Sequence, residues 1–197
     1  QYNLALRYIK GKGVAKDDKK YFEWLLKAAK NGVVEAQFFV AREYLTGETA
    51  PQNDEESVKW NIKAAENGHT VAQRYLGFRY YYGVNVDKDY KKAFKWYEKA
   101  AVGGNIESQH ELSLMYYDGI GTLKDLKLSF FYMKQAADKG FLQSQIGMGI
   151  KYILGEGTPK DLSKAKHWVK TVYESPDADA ETKELAKKIW ELNELWD

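Results

Sequence analysis

WYEKAAVGGN, Trp96–Asn105, is a helical aromatic and Ala-Ala run that ends in Gly-Gly, and the chain repeats it. WLLKAAKNG starts at Trp24, WNIKAAENG at Trp60 and YMKQAADKG at Tyr132. Ala28, Ala64, Ala100 and Ala136 fall 36 residues apart, as do Gly32, Gly68, Gly104 and Gly140. The same step links Trp24, Trp60, Trp96, Tyr132 and Trp168, then Tyr8, Tyr44, Tyr80, Tyr116 and Tyr152, then Gly11, Gly47, Gly83, Gly119 and Gly155. A fixed period of this size is the signature of stacked supersecondary units, each too small to bury its own apolar face and each covered by its neighbours.

Two helices are legible inside each unit. In NDEESVKWNIKAAENG, Asn53 or Asp54 caps the orphan amides, Glu55 and Glu56 suit the positive end of the helix dipole, and Gly68 takes the left-handed position past the end. Asp17, Asp89, Asp125 and Asp161 open the equivalent helix, helix B, elsewhere. The preceding VEAQFFVAREYLTG sets Ala36, Val40 and Tyr44 on one face of helix A and stops at Gly47. Turns such as GKGV, GVNV and GIGT make A and B antiparallel neighbours. Small residues at Ala41, Gly77, Ser113 and Gly149 predict close helix approach, with the periodic Trp of helix B as the bulky counterpart. After Pro176 the segment DADAETKELAKKIWELNELWD sets Leu185, Ile189, Leu192 and Trp196 on a stripe behind Asp177 or Asp179, which predicts a capping helix over the open end.

Composition narrows the function. With 197 residues and 44% hydrophobic content the chain has enough apolar material for a folded array, and no apolar run approaches the length of a membrane span. A net charge of +2 gives little general attraction for nucleic acid or anionic lipid. The absence of Cys removes disulfides, Cys-ligated zinc and thiol nucleophiles and leaves both cytosol and periplasm open. The first residues lack the pattern of a signal peptide, while the missing initiator Met is consistent with an upstream targeting segment lost to processing, which leans the reading toward an exported or periplasmic site. His69, His110 and His167 form no metal-binding pair, the Gly-rich turns lack a P-loop's Lys-Ser/Thr, and no nucleophile motif stands out. The sequence therefore predicts no cofactor and no catalysis.

The third unit, AQRYLGFRYYYGVNVDKDYKKAFKWYEKAAVGG from Ala72, resembles the Sel1-like repeat family, a relative of tetratricopeptide arrays, and the resemblance covers residues 1–176. It implies an all-α, right-handed α-solenoid of five 36-residue helix-turn-helix repeats, residues 1–32, 33–68, 69–104, 105–140 and 141–176, with the capping helix at 177–197. It further implies that helix A lines the concave side, and a role as a bacterial adaptor or as an inhibitor or immunity protein against a secreted toxin or lipase. The alternative class is a cell-wall or β-lactam related enzyme or small-molecule receptor. The helix A positions left free by the period then carry partner binding: Tyr75, Arg79 and Tyr82 as anchors, with Phe39, Glu43, Glu111, Met115 and Lys151 beside them.

Overall fold

The computed structural model describes residues 1–194. Among these it contains eleven α-helices and no strand: α1 (Tyr2–Lys10), α2 (Asp18–Lys30), α3 (Val34–Thr46), α4 (Asp54–Glu66), α5 (Thr70–Tyr82), α6 (Tyr90–Val102), α7 (Ile106–Asp118), α8 (Leu126–Asp138), α9 (Leu142–Leu154), α10 (Leu162–Glu174) and α11 (Ala180–Leu192). The fold is an all-α solenoid. Odd-numbered α1 to α9 are helices A and even-numbered α2 to α10 helices B.

The helix ends follow the sequence. Side chains of Asp17, Asn53, Asp125 and Asp161 accept hydrogen bonds from backbone N–H groups one turn on, and Asp89 accepts from Lys92 N–H at 2.9 Å. The Gly47 column closes each helix A in the left-handed region, with φ between 64° and 76°. The turn is then tied back by the backbone: the N–H groups of Asp17, Asn53, Asp89, Asp125 and Asp161 donate to the carbonyls of Tyr8, Tyr44, Tyr80, Tyr116 and Tyr152.

The chain forms two compact units, Gln1–Lys99 and Ala100–Asp197. In the first, consecutive helices from α1 to α5 pack together, with cores around Ala5, Leu25, Val40 and Trp60 and around Ala64, Ala72 and Leu76. In the second, α7 to α11 pack in succession, with a core that includes Met148, Val169, Val172 and Ala186.

A repeated side-chain latch joins each helix B to the next helix A. Gln37, Gln73, Gln109 and Gln145 are buried, and their Nε2 groups donate to the carbonyls of Ala29, Ala65, Ala101 and Ala137 at 3.0–3.2 Å. The last-turn carbonyls of a helix lack intrahelical donors, and the Gln supplies one across the link. The signal was present in the sequence, as a Gln repeated every 36 residues.

Two packing expectations are corrected. At Gly77 and Gly149 the bulky counterpart is the residue after the periodic aromatic: a Cβ on Gly77 would lie 2.7 Å from the Tyr97 ring, and one on Gly149 2.7 Å from Val169. Leu25, Asn61, Tyr97, Met133 and Val169 are all buried, whereas of the periodic tryptophans Trp60 is buried and Trp24, Trp96 and Trp168 only partly so. Position 97 lies one residue, about 100°, further round the helix and points at the neighbour. The second correction concerns α11, which is capped by Asp179 through the Thr182 N–H and buries Ala186 with Ile189 and Trp190 packed beside it. Leu185 and Leu192 face water, and Trp196 lies outside the described residues.

Candidate functional site

The eight expected partner-facing residues divide sharply. Tyr75 and Tyr82 are 40% and 58% exposed, and Phe39 and Glu111 are half-buried. Glu43, Arg79, Met115 and Lys151 are inside, none more than 6% exposed. The reason is helical geometry. Seven residues turn through about 700°, within about 20° of two full turns, so position 43 stays on the Ala36 side of the helix, whereas eight residues overshoot by about 80°. The inner stripe of helix A is therefore 36, 40 and 43.

This column is charged in four repeats; Arg7 is exposed, and each of the three buried charges meets a side chain 22 residues earlier in the chain. Glu43 Oε1 accepts from Tyr21 Oη at 3.1 Å and from Arg42 at 3.0 Å, while Oε2 accepts from Thr49 at 2.9 Å. Burial first, and the Glu43 carboxylate second, push the Tyr21 hydroxyl pKa far above its ordinary value. Arg79 donates to Ser57 Oγ at 3.3 Å and to the Val84 carbonyl at 3.4 Å. Lys151 donates to Ser129 Oγ at 2.8 Å and lies over the Tyr117 ring, and burial lowers its pKa. The Lys151–Ser129 pair has the atoms of a base and a nucleophile, but Ser129 has no exposed surface and its hydroxyl also contacts Ser113, so it is a structural contact.

The histidines are likewise absorbed locally. His69 Nδ1 caps α5 by accepting from the Ala72 N–H, and His110 Nδ1 lies 2.9 Å from Ser144 Oγ; burial lowers the pKa of both. Among the described residues no three His, Asp or Glu groups gather as a metal site, and no helix is long and apolar enough to cross a membrane.

What faces solvent is a different set. Tyr75, Phe78 and Tyr82 lie at i, i+3 and i+7 on α5, are 40%, 43% and 58% exposed, and the Phe78 and Tyr82 ring centroids are 4.7 Å apart. The equivalent stripe on α3 is Phe39, Arg42 and Thr46, with the Arg42 guanidinium 4.7 Å above the Phe39 ring. On α9 the stripe presents Ile150 and Leu154, both exposed. The column of Arg42, Phe78, Leu114 and Ile150 was not among the expected site residues, although it falls between positions 39 and 46 on the same stripe.

Five Sel1 repeats match the chain, at residues 1–33, 34–69, 70–105, 106–141 and 142–170. The chain belongs to the Sel1-repeat family. Sel1-repeat proteins are protein-interaction scaffolds, and the fold is typically non-enzymatic. The chain is similar to a Sel1 repeat protein from Oxalobacter formigenes, with 29% identity and a TM-score of 0.74 over 98% of this chain and 83% of that one. It is also similar to c5321, a protective antigen present in uropathogenic Escherichia coli strains, with 28% identity and a TM-score of 0.78, covering 98% of this chain but 44% of the antigen. Helicobacter pylori cysteine rich protein B aligns with 66% of this chain at 25% identity and a TM-score of 0.51. No curated protein matches the chain.

Proposed function

We propose that this Sel1-repeat protein holds a partner protein against the exposed stripe of the A helices α3 and α5 in its first unit, without chemistry of its own, and that α5 carries the anchor. The observation that carries this reading is the run of three large aromatics on α5, Tyr75, Phe78 and Tyr82, exposed together on one helix. Aromatic residues of this kind dominate interface energetics because they bury a large rigid area at low entropic cost. Burial of Glu43, Met115 and Lys151 leaves the stack, and not the partner, as their immediate environment. The partner is a protein bound either as cargo of an adaptor or as the target of an inhibitor, the latter a secreted toxin or lipase.

The test is co-purification from cells of the source, followed by titration with the partner so recovered. Phe78→Ala and Tyr82→Ala keep the parent's circular dichroism and melting temperature while affinity falls about tenfold or more. Unchanged affinity in both, with a loss in the helix B variant Lys95→Glu, moves the site to the other face. Inhibition of the recovered partner's activity at one equivalent marks an inhibitor, and undiminished activity an adaptor.

A further inference from the structure

Arg79 differs from the other charged residues of the inner column in what surrounds it. Glu43 has three donors, and Lys151 sits at 2.8 Å from its serine. Arg79, 6% exposed, forms no ion pair among the described residues, and its two hydrogen bonds, at 3.3 and 3.4 Å, are long. Burial depresses its pKa, against a weaker opposing effect of Asp54. Beside it stands Asn61, 4% exposed, whose carboxamide oxygen is buried without a hydrogen-bond partner. The equivalent positions hold Leu25, Tyr97, Met133 and Val169, so a core site has received a polar group whose oxygen has no partner among the described residues. Both side chains line one cavity of about 70 Å³, walled by Phe38, Leu45 and Tyr75, with Arg42 at the rim.

We propose that Arg79 and Asn61 form a binding site for a single carboxylate group, taken in from solvent into the cavity that Phe38 and Tyr75 help to wall. The planar guanidinium offers five donors in a fork that matches two carboxylate oxygens, and among the described residues two hydrogen bonds use it. A half-turn of the Asn61 carboxamide presents its NH2 to the same group. Charge limits the valence: the Arg42 charge is met by Glu43 at 3.0 Å, so the site offers at most the one positive charge of Arg79, itself in the field of Asp54, which suits a monoanion and not a phosphate dianion. Size agrees, because ~70 Å³ is the room of about two waters, or of a carboxylate with its first methylene. The aromatic walls accommodate that methylene. The carboxylate belongs either to a small free acid or to an acidic side chain of a protein, and the site stands whether or not the exposed stripe of α5 is the partner face.

The test uses the full chain alone. The Asn61 side-chain amide and the Arg79 Nε–H are followed by ¹H–¹⁵N correlation spectroscopy during titration with sodium acetate, with N-acetyl-glutamate α-amide, with inorganic phosphate, and with sodium chloride at matched ionic strength. Saturable shifts at both groups with the carboxylates, absent with chloride, are expected. Two variants copy residues that this chain already uses at equivalent positions: Asn61→Leu after Leu25, and Arg79→Met after Met115. Each weakens carboxylate binding by about tenfold or more. Tighter binding of the blocked glutamate than of acetate assigns the site to a protein side chain, and the reverse to a free acid. Shifts that follow ionic strength, binding undiminished in Asn61→Leu, or phosphate bound more tightly than carboxylate overturns the proposal. Should Arg79→Met fail to fold, Asn61→Leu decides alone: it puts an apolar residue back at a core position and closes the cavity, so carboxylate binding that survives it lies elsewhere. Because no partner protein enters this experiment, its failure leaves the reading of the Tyr82 face untouched.

Discussion

Asn61 and Lys151 show how the polar residues of the inner columns affect stability. An unsatisfied buried amide costs about 1–3 kcal/mol, so Asn61→Leu, besides closing the cavity, is expected to raise the free energy of unfolding by about that amount in urea titration. An unchanged or lowered midpoint shows that the amide is not orphaned. Lys151 makes a pH-dependent contribution. Burial holds its pKa below the unfolded value of 10.5, so between the two values the unfolded chain binds more protons and stability rises with pH. Below the folded-state value the charged ammonium is a constant burden. Lys151→Met is therefore expected to melt higher than the parent at neutral pH, with the advantage shrinking as pH climbs toward 10.5. A gap that does not narrow across that range removes the titration from the account.

At the level of the helices, stability rests on pairs whose members lie 8 and 20 residues apart. Tyr97 is 3% exposed and sits where a Gly77 side chain would be, so Tyr97→Ala is expected to cost about 3–5 kcal/mol in thermal or urea unfolding, and the half-buried Trp96→Ala distinctly less. Gly77→Ala is expected to destabilise despite the better helix propensity of Ala, because the 2.7 Å approach forces the ring or the helix to move. Adding Tyr97→Leu should recover most of that loss, and a double variant no better than Gly77→Ala separates the two positions. The Gln latch is a smaller effect. The Ala65 carbonyl that Gln73 serves also accepts from the Gly68 N–H, so Gln73→Leu is expected to cost only about 1 kcal/mol. A loss several times larger implies that the latch carries the register of α4 against α5.

At the level of the whole molecule, a repeat array must close its ends, and within the second unit α11 does so by laying Ala186, Ile189 and Trp190 on the core that holds Val169 and Val172. Truncation before Asp179 is expected to expose that surface, read as increased binding of an apolar dye and as concentration-dependent association in analytical ultracentrifugation. A monomeric truncation with an unchanged melting temperature shows that α11 is dispensable to the stack. The period, the caps and the glycine stops were legible in the sequence because each acts within a few residues of itself: Asn53 caps its own helix, and Gly47 ends the one before. Those local signals determined the eleven helices' class and repeat by themselves. The inward turn of Glu43, Arg79, Met115 and Lys151, the choice of Tyr97 over Trp96 as the packing knob, and the meeting of Asn61 with Arg79 around a cavity were decided only by the tertiary structure. A side chain's surroundings there are built by helices 20 or more residues away in sequence, and a rotation of about 100° between adjacent positions separates a core residue from one that faces water.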